Sequence, residues 1–268
     1  MSRSKKIFVV LGVVTLLLAC STSPTGRKQF MMYDDSSVAP QAIKQYEQMK
    51  KQKPPVTDPK VNNYVNCIAE ALLATLPGDA GRGWELNVFD DKDPNAFALP
   101  GKKIGVHTGI MKVATNQDQL AAVIGHEIGH VEAHHGAERM SMGTATNIGV
   151  MVAAVAIGAS SDNNNTQLAA AALGLGATYG LMMPFSRAHE SEADKLGLDY
   201  MARAGFNPEA SIQLWKNMAA QAKGQPAEFM STHPSHDTRT RDLAANMGAA
   251  LMEYDAARAA GKKPNCRM

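Results

Sequence analysis

The chain has 268 residues, with 27 lysines and arginines, 25 aspartates and glutamates, and a net charge of +2. This near balance, together with the lack of a basic run with interleaved aromatic residues, argues against a nucleic-acid partner. About 250 residues remain once the N-terminal segment is set aside, which is enough for one sizeable hydrophobic core.

The N-terminus is typical of a targeting segment. Positively charged residues precede the apolar run Ile7–Leu18, which is shorter than the about 20 residues that a membrane-spanning helix needs. The run ends in Leu17-Leu18-Ala19-Cys20, which resembles a bacterial lipoprotein signal-peptidase site. A cleaved secretory signal with an incidental cysteine, or an uncleaved anchor, is the alternative.

We therefore predict a signal peptide at 1–19, a lipidated Cys20 that begins a flexible tether over 20–39, and a single domain over 40–268. The tether is rich in Ser, Thr, Pro and Asp, as linkers commonly are. Ser21 follows the cysteine, where an aspartate would suggest inner-membrane retention. We accordingly expect a lipid-anchored protein of the bacterial outer membrane that faces the periplasm.

Hydrophobic periodicity divides the remaining chain into helices and a few short strands. The predicted helices cover 40–51, 58–76, the region after Asn116, 186–204, the region after Asn207-Pro208, and 238–258, and the predicted strands cover 84–89, 97–99 and 104–107. We therefore expect an α+β fold that is mainly α-helical, with a small sheet.

Residues 141–184 form two apolar runs rich in Ala, Gly and Met, separated by a polar break at 160–165. Each run is short for a membrane span, so a helical pair is favoured. A hairpin inserted into a membrane is the alternative.

His126-Glu127-Ile128-Gly129-His130 carries the strongest indication of chemistry. Two histidines four residues apart lie on one face of a helix, so both imidazoles can bind one zinc ion. The glutamate between them lies beside the metal, where it can take a proton from the attacking water. Two surface histidines on an ordinary helix are the alternative, but the apolar spacing predicts an amphipathic helix with Asn116 as its N-cap.

Gly125 and Gly129 flank the histidines and lower helix propensity by about 1 kcal/mol each. A helix tolerates such residues where something must approach its backbone closely. We expect either a neighbouring segment of the chain or a substrate at this place.

A catalytic zinc site needs a third protein ligand, and the segment 186–194 offers Glu190 and Asp194 on one helix face. Glu190 could bind the metal, while Asp194 accepts a hydrogen bond from a ligand histidine and fixes its tautomer. A solvated acidic helix face is the alternative for this stretch alone.

These motifs together resemble the HtpX, Oma and CAAX-prenyl-protease family of zinc metallopeptidases, in particular its periplasmic lipoprotein branch. Further segments agree with the family in their order along residues 40–250: Asn95-Ala96-Phe97-Ala98 with Pro100-Gly101, Gly109-Ile110-Met111, Ser186-Arg187, and His233-Pro234 with Arg239. The resemblance implies a zincin-like domain of the gluzincin type, with its sheet beside the zinc helix. It implies one Zn²⁺ per chain, with the following roles: His126, His130 and Glu190 as ligands, Glu127 as general base, and Asp194 as the partner of a ligand histidine.

His233 and Arg239 are candidates for further roles in catalysis. His233 can donate a hydrogen bond to the tetrahedral oxyanion, or it can occupy the fourth coordination position and hold the enzyme latent, as is suggested for some relatives. Arg239 can stabilise the oxyanion or the substrate carbonyl. A loop that merely caps a helix is the alternative.

Cys67 and Cys266 are the only cysteines besides Cys20. An oxidising compartment would permit a disulfide between them, and the bond would fasten the C-terminal tail to the first helix of the domain. Two unpaired thiols are the alternative.

We predict a zinc-dependent endopeptidase that hydrolyses peptide bonds in misfolded or misassembled envelope proteins, as the family resemblance implies. An exposed strand edge of the small sheet could pair with extended peptides of many sequences. The rival hypothesis is a periplasmic chaperone or assembly factor whose metal site is latent or structural.

Overall fold

A computed structural model describes residues 20–158, 187–221, 233 and 237–268 of the chain. These residues fall into two compact units. The first holds the described residues up to Val38 and those from His134 to 158, and the second holds Ala39–Ala133 and the described residues from 187 onward. The predicted signal peptide at 1–19 lies outside the described residues.

Helices dominate the described chain and short strands accompany them, which confirms the predicted mainly helical α+β fold. In chain order the elements are β1 (Cys20–Thr22), β2 (Lys28–Phe30), α1 (Asp35–Gln52), α2 (Pro59–Leu73), β3 (Glu85–Phe89), β4 (Ala96–Leu99), β5 (Lys103–His107), a short 3-10 helix (Thr108–Lys112), α3 (Gln117–Glu132), α4 (His135–Gly158), α5 (187–204), α6 (Ala210–Gln221) and α7 (Asp237–Ala259).

The first unit contains an antiparallel hairpin of β1 and β2, inside the segment that was predicted to be a flexible tether. Arg27 donates two hydrogen bonds to the carboxylate of Glu138 at 2.9 and 2.6 Å, and Gln29 donates a third at 2.9 Å. Glu138 is fully buried, and a buried carboxylate requires such partners. The tether prediction is therefore wrong for this part of the segment, because local composition does not reveal a partner 111 residues away. Lipidation of Cys20 stays a prediction.

The structure describes only the beginning of the apolar segment 141–184, which was predicted to form a helical pair. Helix α4 covers its beginning, and residues 159–184 lie outside the described residues. Among the helices that the structure describes, none combines the length and the apolar character that a membrane span requires.

The second unit contains a three-stranded sheet with the order β3-β5-β4. Strand β5 lies in the middle, parallel to β3 and antiparallel to β4. The outer edge of β3 is covered, since Val56 donates a backbone hydrogen bond to Val88 at 2.7 Å and Pro55 bridges Phe89. In the described part of the chain, no further strand pairs with the outer edge of β4.

Helices α3 and α5 approach each other through glycines. A Cβ atom added to Gly197 would lie 2.7 Å from the backbone nitrogen of His126, and one added to Gly129 would lie 2.9 Å from the carbonyl oxygen of Ala193. Gly125 similarly faces Gly197. A neighbouring chain segment, and not a substrate, therefore accounts for the two glycines that flank the histidines.

A disulfide joins Cys67 on α2 to Cys266, with the two Cα atoms 5.7 Å apart. The tail near it also contacts the first residue of α3. Gln117 donates a hydrogen bond to the carbonyl of Pro264 at 3.1 Å and accepts one from the backbone of Cys266 at 2.8 Å. The C-terminal tail is therefore fixed at the N-terminus of the helix that carries both histidines.

Gly197→Ala is expected to lower the free energy of unfolding by about 1–3 kcal/mol, because the added methyl group collides with the backbone of α3 and overpacks the interface. Urea unfolding followed by circular dichroism measures the change. Gly248→Ala on α7 is the matched control, since its Cβ would meet nothing within 4 Å. The control should gain about 0.5–1 kcal/mol, and equal effects in the two variants would contradict the close helix contact.

Glu85 on β3 links strand and helix electrostatically. Its carboxylate lies 2.7 Å from the ammonium groups of Lys103 and Lys50, which lower the pKa of Glu85 to about 2. Its stabilising contribution is therefore present above the ordinary glutamate value of 4.5 and is lost as the pH falls towards 2.

Glu85→Gln should reduce the free energy of unfolding at pH 7 by about 1 kcal/mol, a value discounted for solvent screening because the side chain is 34% exposed. The difference from wild type should shrink as the pH falls below 4.5. Denaturant titrations at pH 7 and at acidic pH, with exposed Glu70→Gln as control, test this. A difference that stays constant with pH would refute the assigned ion pairs.

Candidate metal centre

Helix α3 presents both histidines of the motif on one face. Asn116 is its N-cap, as predicted, and its side chain accepts a hydrogen bond from the backbone of Gln119 at 2.9 Å. The rings of His126 and His130 have centroids 4.6 Å apart, and their Nε2 atoms are separated by 3.0 Å. Both imidazoles therefore direct the same nitrogen to one point.

Helix α5 brings the carboxylate of Glu190 to the same point. Its Oε2 lies 3.3 Å from Nε2 of His126 and its Oε1 lies 3.4 Å from Nε2 of His130. Glu190 is fully buried, so the carboxylate has no competing contact with solvent. The close glycine packing of α3 and α5 allows this short side chain to reach both imidazoles.

His233 contributes a fourth nitrogen to the cluster. Its Nδ1 lies 3.0 Å from Oε1 of Glu190 and 3.3 Å from Nε2 of His126. Ligand atoms of these four residues all lie within 4.8 Å of one another, a separation that one metal ion can span. Imidazole nitrogens with one carboxylate are typical zinc ligands, and three of them are enough for a catalytic site. The residues present therefore fit the predicted zinc ion.

Glu127 lies beside this cluster and is almost completely buried. The backbone N–H of Ala98 on β4 donates to its Oε2 at 3.2 Å. Its Oε1 lies 3.4 Å from Nε2 of His233 and makes no hydrogen bond within the described chain. Burial raises the pKa of Glu127, against the opposing effect of the nearby histidines. These properties suit a carboxylate that accepts a proton.

Asp194 lies one helical turn beyond Glu190 and accepts a hydrogen bond from Nδ1 of His126 at 2.9 Å, if that nitrogen carries the proton. This contact leaves Nε2 of the ring available for a metal. The contact agrees with the role predicted for Asp194, the partner of a ligand histidine, which stays a prediction.

Arg239 does not occupy the position that was predicted for it. It is 1% exposed, so a substrate carbonyl cannot reach it. Its Nε and Nη2 donate to the two oxygens of Asp194, each at 2.7 Å, and its Nη1 lies 2.9 Å from Oε2 of Glu190. The predicted role in oxyanion stabilisation is corrected accordingly: Arg239 pairs with the carboxylates of Glu190 and Asp194.

The charges of these groups favour a cation at the centre. Burial opposes the ionisation of Glu190, but contacts with three histidines outweigh it and keep its pKa far below the usual value. Burial likewise opposes ionisation of Asp194, and Arg239 outweighs it and lowers the pKa. Burial disfavours the charged form of His126, yet the two carboxylates raise its pKa to about 9. The carboxylate of Glu190 is therefore negatively charged among the imidazole nitrogens, and this charge attracts a divalent ion.

Trp215 on α6 lies beside the metal centre and was not among the predicted site residues. It is a core residue with 8% exposure. The central carbon of the Arg239 guanidinium lies 3.7 Å from the centroid of the Trp215 indole ring. A lone tryptophan on an apolar helix face carries no sequence signal for such a contact.

Comparisons with known proteins agree with this site. The model of Peptidase family M48 matches residues 59–247. The chain is 38% identical over 183 residues to mitochondrial metalloendopeptidase OMA1 of Schizosaccharomyces pombe, and the alignment covers 67% of this chain and 51% of the relative. It is 35% identical to the Saccharomyces cerevisiae protein of that name, and the alignment covers 69% of this chain and 54% of the relative. It is 27% identical to the beta-barrel assembly-enhancing protease of Escherichia coli K12, and the alignment covers 73% of this chain and 40% of the relative.

These matches overturn the predicted location. The yeast relatives are named as mitochondrial enzymes, whereas a bacterial outer-membrane protein facing the periplasm was expected. The prediction rested on the N-terminal segment, of which 1–19 lie outside the described residues and outside the matched family model.

The chain spans about half the length, or less, of these curated relatives. The matched region nevertheless includes every residue of the donor cluster and its supporting carboxylates, and it extends over most of the described second unit. The predicted family of zinc metallopeptidases is therefore confirmed, and with it the predicted metal: the chain belongs to Peptidase family M48.

Proposed function

We propose that the chain is a zinc-dependent endopeptidase in which His126, His130 and Glu190 bind the metal and Glu127 is the general base. The observation that carries the proposal is the position of Glu127. One of its oxygens is held by the Ala98 N–H, and the other has no hydrogen-bond partner in the described chain. A structural metal site would not need a buried carboxylate beside it with one oxygen that makes no hydrogen bond.

Bound zinc would polarise the scissile carbonyl and acidify the attacking water. Glu127 accepts a proton of that water at Oε1 as the water oxygen bonds to the scissile carbonyl carbon, and it then delivers the proton to the amide nitrogen as the C–N bond breaks. Asp194 holds the ring of His126 through Nδ1, so that Nε2 faces the other donor atoms. Arg239 neutralises part of the charge of both supporting carboxylates.

The substrate would bind as an extended strand along the outer edge of β4. The N–H of Ala98 points from this edge to Glu127, so the edge runs beside the reacting groups. Backbone pairing at a strand edge accepts many side chains. A substrate bound in this way must first offer an unfolded segment.

This mode of binding supports misfolded or misassembled proteins, including envelope proteins, as substrates. A bacterial relative carries the name beta-barrel assembly-enhancing protease, which accords with that substrate class. The disulfide between Cys67 and Cys266 favours an oxidising compartment. The rival hypothesis, a chaperone with a latent or structural metal, gives no account of the position of Glu127.

Glu127→Gln should lower casein hydrolysis by about 10²–10⁴-fold, the usual contribution of a general base, and should leave zinc content unchanged because Glu127 is not a ligand. Cleavage is followed on a gel and zinc by atomic absorption. Exposed Glu253→Gln on α7 is the control. Equal cleavage by the Glu127 variant and the wild type would support the chaperone instead.

His233→Ala should raise casein cleavage several-fold. Nδ1 of His233 lies among the donor atoms, where it competes with water and substrate for the metal, and three ligands remain without it. Initial rates are compared at saturating zinc. A loss of activity with zinc retained would show instead that His233 supports the oxyanion.

A further inference from the structure

We propose that Trp215 is a positioning residue of the metal centre: its indole ring holds the guanidinium of Arg239 in the one orientation that binds Glu190 and Asp194 together. The inference rests on the proposed zinc site and adds a residue that touches neither metal nor substrate.

Arg239 is one of the largest fully buried side chains of the described chain. The edge of its guanidinium is occupied on two sides. Nε and Nη2 bind Asp194, and Nη1 binds Glu190, with all three distances between 2.7 and 2.9 Å. A planar fork that serves two carboxylates from one plane requires that the plane itself be fixed.

The plane is fixed by Trp215, which covers one face of the guanidinium at 3.7 Å. This distance is well inside the range of about 6 Å in which an aromatic ring attracts a cation. Hydrogen bonds at the edge restrict tilting of the guanidinium, and a ring against its face restricts it further.

Trp215 also borders a ligand directly. Its ring centroid lies 6.4 Å from that of His126, with the ring planes at 76°. The cavity that remains among Trp215, His126 and Asp194 measures only about 10 Å³, which is room for one water at most. The indole therefore fills the space behind the ligand and excludes solvent from the charged pairs.

Plain core packing is the competing interpretation, since Trp215 belongs to the hydrophobic core of the second unit. The two interpretations differ in what the ring must supply. Core packing needs volume alone, and the positioning role needs an aromatic face against Arg239. Phenylalanine keeps a face, whereas leucine does not.

The test measures zinc affinity by competition with a chromogenic chelator, and thermal stability in parallel, on the full chain. Trp215→Leu should weaken zinc binding by about tenfold or more, within the range for groups that support metal ligands. Trp215→Phe should stay within about threefold of wild type. Phe206→Leu, a fully buried aromatic residue of the same core, is the matched control and should lose stability while its zinc affinity stays unchanged.

Arg239→Lys keeps the charge but cannot serve both carboxylates, so it should weaken zinc binding to a similar degree. In the double variant of Trp215→Leu with Arg239→Lys, the two losses should be far from additive, because both act through one group. Should Trp215→Leu fail to fold, Trp215→Met, which keeps more of the volume and has no aromatic face, takes its place in the cycle with Arg239→Lys.

Zinc affinity of Trp215→Leu equal to that of wild type, or additive losses in the cycle, would overturn the positioning role. A wild-type protein that binds no zinc would instead overturn the proposed function itself. The two failures are therefore distinguishable.

Discussion

Two carboxylates that have almost no access to solvent impose the main physical constraint on this protein. Glu190 and Asp194 are 0% and 6% exposed, and buried charges are stable only with close partners of opposite sign. Arg239 supplies one positive charge to the pair. The remaining negative charge calls for a second cation, which protons on the histidines or a metal can provide. The same requirement explains why the arginine is committed to the interior and does not face a substrate.

The approach of α3 to α5 decides where this charge is placed. Glycines at the contact let the two backbones come close enough for a glutamate on one helix to meet imidazoles on the other. A wider separation would leave the carboxylate short of both rings. The metal centre is therefore a consequence of helix packing as much as of the residues that form it.

Features determined by local spacing could be predicted from the sequence. Two histidines four residues apart share a helix face whatever surrounds them, and the same holds for Glu190 and Asp194. The strands of the small sheet and the cap at Asn116 likewise depend on a few adjacent residues. The pairing of Cys67 with Cys266 could be named as a possibility because Cys20 was assigned to another role.

Features that depend on distant contacts could not be predicted. Nothing in the segment 20–39 indicates that Arg27 meets Glu138, so an ordered hairpin looked like a tether. The burial of Arg239 depends on α5 and α6 together, and its role was misjudged for that reason. Trp215 and Gly197 owe their importance to neighbours on other helices, and either residue alone is unremarkable in its own segment.

The bond between Cys67 and Cys266 makes most of the chain a covalent ring with a sequence separation of 199 residues. All residues of the metal centre lie inside this ring. A single backbone cut between the two cysteines therefore produces two pieces that the disulfide still joins. They migrate together in gel electrophoresis until a reductant is added. After such damage, the histidines and the carboxylates of the metal centre remain in one molecule.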